Sequence, residues 1–550
     1  MTGTNVCSKK PKEIHRIIGE RGVVIMGLFF NPGNDSFRIK RNDDYIDKSG
    51  MISIVNESLC KKDKLSCVSR PRRFGKTYAT AMLAAYYDNS CDSHSLFDDL
   101  AIAKDPGYGE HLNKYNVMYL DMSYFISISK DRTHVVECTQ KQLADELVEL
   151  YPDLVNKDMT ISKALATIVE ASGAQFVAVI DEWDAPLRDS DATAGSKKEY
   201  LEFLRSFFKN TAITDKVFAG AYMTGILPIK KDGSQSAVSE FSEYTIFDPE
   251  QFAPYIGFTE EEVKELCRRR SLDFAQMKKW YDGYNLPGAG DMYNANSVMK
   301  AASYRKYESY WSASSAANSL LKYLNMDFEG LGDDVDDLLK DKAVRIDNST
   351  FLNDMYELYS RDDVLTLLTH FGYLAYDAES GFAHIPNLEI RIEYYNISRR
   401  VRHQRTIDRL KECDELFKAT AEMDEKKVAE GIQKVHEREC SPRHYNREES
   451  LRSVIKLAYY TYNDQYLRLE EAGGGTGYAD MVYIPRKYSD MPLLIIELKK
   501  DDTPENAIKQ IRERNYAAPY VDMDVDILLI GVAYDSNDPA KTHRCVIEEL

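Results

Sequence analysis

The sequence predicts an α/β fold with a parallel sheet in the first half of the chain, then a mostly helical region and a second α/β domain. From about residue 41 to residue 255, strand-like and helix-like segments alternate, which is typical of βαβ units. Helical patterning dominates after Thr259, whose hydroxyl and following glutamates favour a helix start. Apolar strands return toward the C-terminus. We therefore expect an N-terminal leader (1–40), a parallel-sheet domain (41–255), a helical linker region (256–440) and a C-terminal domain (441–550).

A loop suited to binding phosphate follows an early strand of the parallel sheet. The apolar run Leu65–Val68 leads into residues 70–77, Arg-Pro-Arg-Arg-Phe-Gly-Lys-Thr, and an apolar helix is expected from Tyr78 to Tyr87. At such a junction, free N–H groups and the positive end of a helix point at a bound anion. Lys76, with a side chain that we expect to face solvent, can reach the outer phosphates of a nucleotide, and the Thr77 hydroxyl can bind Mg²⁺. The candidate nucleotide-binding residues of the loop are Arg72, Arg73, Phe74, Gly75, Lys76 and Thr77.

Two adjacent acids follow a second predicted strand about a hundred residues later. The run Gln175–Ile180 is uninterrupted and apolar, as expected for a buried parallel strand, and it ends in Asp181-Glu182-Trp183-Asp184. Carboxylates at the carboxyl end of such a strand lie in the crevice where α/β sheets bind ligands. We expect Asp181 to hold Mg²⁺ through its water shell and Glu182 to orient or deprotonate the attacking water. The simpler interpretation is an acidic loop after a core strand.

Two further strands are expected in the same sheet. Lys216–Gly225 places the hydroxyl of Thr224 at a strand end, where it can sense the terminal phosphate of a nucleotide. A strand followed by a glycine turn is the alternative interpretation of that segment. Tyr115–Leu120, which ends at Asp121, is the other strand.

A second set of acids predicts metal chemistry near the C-terminus. Asp480 enters the strand Met481–Ile484, and Pro492–Ile496 leads into Glu497-Leu498-Lys499. Residues i and i+2 of a strand share a face, so Glu497 and Lys499 point the same way. Two carboxylates and a lysine on a sheet edge can bind Mg²⁺ and prepare a water for attack on a phosphodiester. Lys499 would position that water and stabilise the developing charge. A surface hairpin with ordinary salt bridges is the alternative.

The loop 70–77, the box Ile180–Asp184 and Met223-Thr224-Gly225 together resemble the AAA-ATPase-like proteins that carry a C-terminal PD-(D/E)XK nuclease domain. Arg70 stands where a phosphate-binding loop usually has its first glycine, and this substitution is common in that family. Further matches run along most of the chain: Tyr45–Ser49, Trp280–Tyr284, Tyr293-Asn294, Phe371–Leu374 and Ile385–Asn387.

The resemblance implies a P-loop NTPase sheet, a restriction-endonuclease-like C-terminal domain, and ATP and Mg²⁺ as cofactors. The partners that it implies are DNA or RNA and further copies of the chain. No membrane is expected, because no apolar run of the sequence approaches the ~20 residues needed to span a bilayer. Gln510, on a helix expected from Pro504 to Tyr516, resembles the helical glutamine of many of these nucleases. Glu448 or Glu449 resembles their supporting acid, and the sequence does not choose between the two.

We expect the helical linker region to form a lid or bundle beside the nucleotide and to contain a small winged-helix-like unit. A helix around Val364–Leu368 runs into a hairpin formed around Gly372–Leu374 and Gly381–Ile385, an outline that is winged-helix-like. In ATPases of this kind, such a unit relays the nucleotide state rather than reading DNA.

Composition limits the classes of function. The formal net charge of −18 opposes binding to nucleic acid, because phosphate is bound mainly by lysine and arginine. Two basic patches, Arg268–Arg270 and Arg399–Arg405, soften this objection, although a solvated helix face usually explains such runs. The nine cysteines include no CxxC pair, which indicates reduced thiols in a cytoplasmic protein and no zinc site.

Two classes of function remain open from the sequence. The first is an enzyme in which an ATPase controls a metal-dependent nuclease, and the intact set of Asp480, Glu497 and Lys499 favours it. The second is a non-catalytic protein in which ATP regulates assembly and the C-terminal domain only binds a partner. The acidic net charge favours the second class.

Overall fold

A computed structural model describes most of the chain, in two compact units. The described residues are 17–19, 22–24, 26–41, 44–189, 191–209, 211–229, 238, 240–311, 320, 323, 324, 326, 328–349, 351, 358–398, 404–440, 445, 448–459, 466–486, 491–523 and 525–550. The first unit comprises residues 1–313, 328–330 and 341–390, and the second comprises 314–327, 331–340 and 391–550. The boundaries between the four predicted domains stay a prediction.

Eighteen strands are assigned within the described residues. Those of the first unit are β1 (Ile17–Gly19), β2 (Gly22–Val24), β3 (Leu65–Ser69), β4 (Asn116–Asp121), β5 (Phe176–Asp181), β6 (Phe218–Gly225), β7 (Ser242–Tyr244), β8 (Phe258–Thr259), β9 (Tyr284–Leu286), β10 (Gly290–Tyr293), β11 (Val344–Arg345), β12 (Ala375–Asp377) and β13 (Phe382–His384). Those of the second unit are β14 (Tyr466–Gly474), β15 (Gly477–Pro485), β16 (Leu493–Lys500), β17 (Ile527–Tyr534) and β18 (His543–Glu549).

The α-helices that the structure describes are distributed over both units. In chain order they are α1 (Asp35–Lys40), α2 (Gly50–Ser58), α3 (Lys76–Tyr87), α4 (His94–Phe97), α5 (Tyr108–His111), α6 (Met122–Ile128), α7 (Val135–Leu150), α8 (Ile161–Ser172), α9 (Ala185–Arg188), α10 (Ala194–Phe208), α11 (Thr211–Val217), α12 (Glu260–Arg270), α13 (Phe274–Tyr281), α14 (Ala295–Tyr304), α15 (Leu331–Leu339), α16 (Arg361–Phe371), α17 (Leu388–Ser398), α18 (Gln404–Ala421), α19 (Glu425–Glu439), α20 (Glu448–Ala458) and α21 (Pro504–Glu513). Among the described residues, no helix has both the length and the apolar composition to cross a lipid bilayer.

The first unit is built on a five-stranded parallel sheet in the order β4-β5-β6-β3-β7. Alternate residues of β5 enter two different cores, because successive side chains of a strand point to opposite faces. Ala178 and Ile180 pack with the helices α7, α8 and α10, whereas Val177 and Val179 pack with α2 and α3. A sheet buried on both faces explains the uninterrupted apolar run, and the predicted parallel α/β fold is confirmed.

Residues just before the predicted sheet domain also contribute to its core. Phe30 and Phe37, within the segment predicted as a leader, are fully buried. Asn31 donates its backbone N–H to the carbonyl of Val117 on β4. The chain from residue 26 onward is therefore packed against the sheet.

The helical region of the first unit contains the predicted helix and hairpin. Helix α16 begins at a Ser360 capping box and ends at Gly372, whose left-handed φ of 84° closes the helix. Strands β12 and β13 follow as an antiparallel pair, and β11 pairs with the other side of β13. The basic run Arg268–Arg270 occupies the last turn of α12, where the helix dipole stabilises cations. Arg268 pairs with Glu265, and Arg270 pairs with Asp44. The other basic run, Arg399–Arg405, lies outside the described side chains.

The second unit contains a mixed five-stranded sheet in the order β14-β15-β16-β17-β18. Only the β16–β17 pair is parallel; the other neighbours are antiparallel. Leu494 and Ile496 face a core formed with helices α18 to α20, whereas Leu493 and Ile495 face α21. This is the α/β arrangement predicted for the C-terminal domain.

Candidate functional sites

The predicted phosphate-binding loop joins β3 to α3, as the sequence indicates. Gly75 precedes the first residue of α3 with a φ of 96°, which glycine adopts without strain. Arg73 also lies in the left-handed region, and its guanidinium donates to the Tyr310 carbonyl and stacks over the Trp311 ring. The backbone of the loop is therefore bent back on itself at the amino end of α3.

Lys76 is buried within this loop, so the expectation of a solvent-facing side chain is wrong. Its Nζ donates to the backbone carbonyls of Arg70 and Pro71, at 3.1 and 2.9 Å, and lies 3.7 Å from Oε1 of Glu182. Burial lowers the pKa of the ammonium, and the Glu182 carboxylate opposes that shift. The loop wraps around the ammonium because a buried charge needs polar partners, and the loop carbonyls supply them.

Arg70 fixes the first residue of the loop through hydrogen bonds to backbone carbonyls. Its fully buried guanidinium donates through Nη1 to the carbonyls of Ser69, Tyr244 and Thr245, at 2.9 to 3.0 Å. Burial lowers the pKa of this arginine to about 10. The arginine thus ties the loop to the end of β7, a role for which a glycine has no side chain.

Both predicted acids lie at the mouth of the loop. Asp181 is buried, and burial raises its pKa to about 6, although a hydrogen bond with Thr77 opposes the shift. Glu182 adopts a left-handed φ of 51°, and its carboxylate lies 2.5 Å from Nη2 of Arg188. The structure therefore brings Lys76, Thr77, Asp181 and Glu182 together.

Sequence reasoning missed Arg188 and the role of Asp184. Arg188 also pairs with Asp184 at 2.7 Å, and Asp184 accepts the backbone N–H groups of Ile226 and Leu227. An acid and an arginine four residues apart across a short helix were the available signal. The Asp184–Arg188 pair therefore holds the loop after β6 against the acidic segment Asp181–Asp184.

Thr224 lies beside the loop strand β3, and its hydroxyl is engaged by the backbone of that strand. It stands opposite Val68 in the β3–β6 pair, and its fully buried hydroxyl donates to the Val68 carbonyl at 2.9 Å. Its proposed contact with a phosphate requires this bond to be exchanged.

A cavity of about 280 Å³ opens beside the loop. The loop residues Gly75, Lys76 and Thr77 form one wall together with Glu182. The other walls are largely apolar and aromatic, and they include Tyr45, Ile46, Met82, Tyr255, Phe258 and Met299. Tyr45 and Ile46 belong to a motif noted in the sequence, but the remaining wall residues come from segments that only the fold brings together.

The other sequence motifs of the first unit pack behind the loop. A Cβ at Gly372 would lie 2.8 Å from Cβ of Pro71, and a Cβ at Gly283 would lie 2.0 Å from the carbonyl oxygen of Pro386. The hydroxyl of Tyr284 donates to the Gly372 carbonyl at 2.7 Å, and the Asn387 amide donates to the Asp282 carbonyl at 2.7 Å. These motifs therefore support the shape of the loop rather than supply chemistry.

A group of three acids in the first unit surrounds a lysine. Glu260, Asp282 and Asp291 approach one another closely enough to suggest a metal site. The ammonium of Lys278 lies among them, 3.2 Å from Asp282 and 2.9 Å from Asp291, and also pairs with Glu260. The ammonium already contacts all three carboxylates at the position that a cation would take, so we assign no metal there.

The C-terminal acids lie side by side on two interior strands of the second sheet, β15 and β16, so the expected location at a sheet edge is wrong. The β15–β16 register pairs Met481 with Ile496, and its continuation places Asp480 opposite Glu497. Oδ2 of Asp480 accepts the backbone N–H of Leu498 at 2.9 Å. Glu497 is buried, and this burial and the neighbouring Asp480 raise its pKa, an effect that Lys499 opposes.

Lys499 and Gln510 complete the cluster. Nζ of Lys499 lies 3.0 Å from Oε1 of Glu497 and donates to Oε1 of Gln510 at 2.7 Å. The Gln510 amide also contacts Glu497 and donates to the Tyr516 hydroxyl at 2.9 Å. The structure thus gathers all four predicted residues of this cluster. The side chains of Glu448 and Glu449 lie outside the described residues.

Family comparisons agree with the two halves of this description. A model described as predicted AAA-ATPase matches residues 33–234, and a PD-(D/E)XK nuclease superfamily model matches residues 446–543. The chain combines an AAA-ATPase-like domain with a PD-(D/E)XK superfamily domain. The predicted resemblance is confirmed, and the first match begins within the segment predicted as a leader.

One curated relative is the uncharacterized protein in the vnfD 5' region of Azotobacter chroococcum mcd 1. It is 22% identical over 290 residues, which cover 50% of this chain and 51% of the relative. The chain thus spans about half the length of the curated relative that it matches.

Solved structures similar to the chain include a Walker-type ATPase of Pyrococcus abyssi, with 12% identity and a TM-score of 0.31. The match covers 63% of this chain and 94% of the Pyrococcus abyssi chain. The Aeropyrum pernix ORC2 protein in ADPNP–ADP complexes (11% identity, TM-score 0.31) covers 67% of this chain and 98% of its own. TM-scores this low establish no common architecture, and the fold of the AAA-ATPase-like domain is defined by its own sheet order.

Proposed function

We propose that the chain is an ATPase whose nucleotide state controls a metal-dependent nuclease in its C-terminal domain. The observation that carries this proposal is that each domain gathers the acids and the lysine that its chemistry requires within one cluster. ATP is the proposed ligand of the first cluster, and DNA or RNA is the proposed substrate of the second. The proposed setting is the cytoplasm, in keeping with the nine cysteines of the sequence, which include no CxxC pair.

In the AAA-ATPase-like domain, Lys76 binds the outer phosphates by exchanging the carbonyls of Arg70 and Pro71 for phosphate oxygens. The exchange is favourable because a phosphate oxygen carries negative charge, so it attracts the ammonium more strongly than a neutral carbonyl does. Thr77 and Asp181 touch one another and offer the oxygen ligands that Mg²⁺ prefers. Bound Mg²⁺ neutralises phosphate charge. Glu182, released from Arg188, orients the attacking water.

The cavity beside the loop accommodates the base and sugar of the nucleotide. Its aromatic and thioether walls suit a flat purine, and Tyr45 and Phe258 supply the rings. Thr224 remains a candidate sensor of the terminal phosphate, since β6 lies between the loop strand and the acid strand.

In the PD-(D/E)XK domain, Asp480 and Glu497 would hold Mg²⁺, which when bound would supply a Lewis acid for activating a water. Lys499 bonds to Glu497 and to Gln510, so its ammonium is held at the carboxylate where a water would be activated. Gln510 fixes both side chains from α21. These contacts support a cleaving site rather than a chance salt bridge.

One observation favours a second candidate function, an ATP-regulated protein whose C-terminal domain only binds a partner. Both oxygens of Asp480 are engaged, one by the Leu498 N–H and the other by the guanidinium of Arg452 at 3.0 Å. A carboxylate that never released this arginine would be a poor metal ligand.

The decisive experiment measures cleavage of labelled single- and double-stranded DNA and RNA by the full chain. Each substrate is incubated with Mg²⁺ or Mn²⁺, with and without ATP. We expect cleavage by the wild type, its loss in Asp480→Asn, and slow cleavage with retained metal binding in Lys499→Met. Cleavage that survives Asp480→Asn would contradict the site. Nucleic-acid binding without cleavage under every condition would favour the binding function.

Control by the nucleotide has a separate readout. A Lys76→Met chain should retain metal binding at the C-terminal site but lose the effect of ATP on cleavage. An identical response to ATP in the wild type and in Lys76→Met would contradict the coupling while leaving the nuclease assignment intact.

A further inference from the structure

Arg452 is the charged side chain that pairs with the predicted metal ligand Asp480. It lies on α20, its Nη2 is 3.0 Å from Oδ1 of Asp480, and its Nη1 is 2.9 Å from Oε1 of Glu471. The side chain is 23% exposed, so the guanidinium sits at the border between the cluster and solvent. An arginine carries five N–H donors, and these two contacts leave others available.

Glu471 holds the other side of the guanidinium at the cost of a strained backbone. The β14–β15 register pairs Glu470 with Met481 and Ala472 with Ala479, which places Glu471 across from Asp480. Its φ of 47° is unusual for a non-glycine residue inside a strand. Such strain is concentrated at functional sites, where it fixes a side chain that the regular strand would not place.

The contacts of the Asp480 and Glu497 oxygens show at which atom the arginine competes with a metal. Oε1 of Glu497 is used by Lys499 and Gln510, and Oδ2 of Asp480 is used by the Leu498 N–H. Within the described residues, the polar contact of Oε2 of Glu497 is a long one, 3.4 Å, from the Asp480 N–H. A metal held by both acids would therefore take Oε2 of Glu497 and Oδ1 of Asp480, and the second of these atoms is paired with Arg452.

We propose that Arg452 is a displaceable cation, which occupies Asp480 in the absence of metal and contacts the substrate phosphate once metal has replaced it. The inference rests on the proposed nuclease function. Glu471 is the second carboxylate that binds the guanidinium. It keeps the arginine beside the cluster after Asp480 is released. The matching substrate group is a phosphodiester oxygen, because the planar guanidinium fork binds phosphate in a two-pronged manner.

The two possible roles of Arg452, displacement by metal and structural support of Asp480, predict opposite changes in metal affinity when Arg452 is replaced. If Arg452 competes with the metal, Arg452→Gln should bind Mn²⁺ more tightly, by up to about fivefold, the effect expected for removing a partly exposed ion pair. If Arg452 only holds Asp480 in place, the same variant should bind Mn²⁺ less tightly. Glu471→Gln should bind Mn²⁺ less tightly under the displacement scheme, because the arginine then stays on Asp480.

The experiment uses the full chain without nucleotide and follows free Mn²⁺ by electron paramagnetic resonance. Arg512→Gln is the matched control, because Arg512 also pairs with a glutamate of the same unit, Glu548, but lies outside the cluster. It should bind Mn²⁺ like the wild type. In a second measurement with Ca²⁺, Arg452→Gln should bind an oligonucleotide more weakly despite its tighter metal binding.

The outcomes separate this inference from the proposed function. Mn²⁺ binding that requires Asp480 but is unchanged or weakened in folded Arg452→Gln would overturn the displacement scheme alone. Absence of Mn²⁺ binding in the wild type, or undiminished binding in Asp480→Asn, would overturn both. Tighter binding in Arg452→Gln with weaker binding in Glu471→Gln would support the scheme, and thermal melting establishes that each variant is folded.

Discussion

The two candidate sites are built in different ways. At the nucleotide loop, backbone carbonyls hold the key lysine, and a cavity of about 280 Å³ lies beside it. At the C-terminal cluster, side chains hold one another, and every oxygen of Asp480 and Glu497 has at least one contact within the described residues. The first site is shaped to admit a large ligand, whereas the second must exchange partners before it can bind an ion.

The largest effect that would test this difference is expected from Lys76→Met. The variant keeps the aliphatic stem but removes the only ammonium of the loop 70–77, so binding of MgATP should be abolished. Isothermal titration calorimetry measures the loss. Lys64→Met is the matched control, since Lys64 is also buried and also contacts a backbone carbonyl, at the opposite end of β3. Full ATP affinity in a folded Lys76→Met chain would remove the loop from nucleotide binding.

Glu182→Gln should separate hydrolysis from binding at the same site. The amide retains the size of the side chain but cannot take up a proton, so ATP turnover should fall roughly a hundredfold while ATP still binds. Phosphate release under saturating ATP measures the effect. Equal turnover in the two proteins would exclude Glu182 as the residue that activates water.

The raised pKa of Asp181 predicts that binding of MgATP at the nucleotide loop depends on pH. Burial raises this pKa to about 6, so the carboxylate gains a proton as the pH falls from 7 to 5 and loses its attraction for Mg²⁺. The affinity for MgATP should therefore fall by about tenfold over that interval. Because the γ-phosphate also takes up a proton there, Asp181→Asn provides the baseline. A wild-type profile parallel to that of Asp181→Asn would contradict the assignment.

The smallest effect concerns the motifs that pack behind the nucleotide loop. Gly372 and Gly381 both have left-handed φ values, but a Cβ at Gly372 would meet Pro71, whereas a Cβ at Gly381 would meet nothing within 4 Å. Each alanine should reduce the free energy of unfolding by about 1 to 2 kcal/mol through backbone strain. Only Gly372→Ala should also weaken ATP binding, by a few fold, because it displaces Pro71. Equal ATP affinities for the two variants would show that the supporting layer does not shape the loop.

Local sequence patterns were sufficient to predict the fold class and most of the residues gathered at the two sites. A buried parallel strand must be apolar throughout, so β5 and the acids at its end are visible in the sequence without a structure. Residues two apart on a strand share a face, which predicted that Glu497 and Lys499 would meet. Helix α16 and its hairpin were predictable because a glycine ends the helix.

Partners that are distant in sequence were not predictable. Lys76 was expected to face solvent because its burial depends on how the loop bends around it, and the bend is set partly by Arg70 and by Pro71 against Gly372. The walls of the cavity come from segments as far apart as Tyr45 and Met299.

The sequence by itself determined which chemical groups this protein carries and on which local elements they lie, because those features follow from periodicity and short-range backbone preference. Only the tertiary structure decided which groups are paired, since ion pairs and burial depend on contacts between distant elements. Glu182 and Asp480 illustrate this division: both acids were visible in the sequence, but their arginine partners, Arg188 and Arg452, were not. The four-residue spacing of Asp184 and Arg188 indicates that one pair, but it does not indicate the contact of Arg188 with Glu182. Arg452 lies on a different element from Asp480.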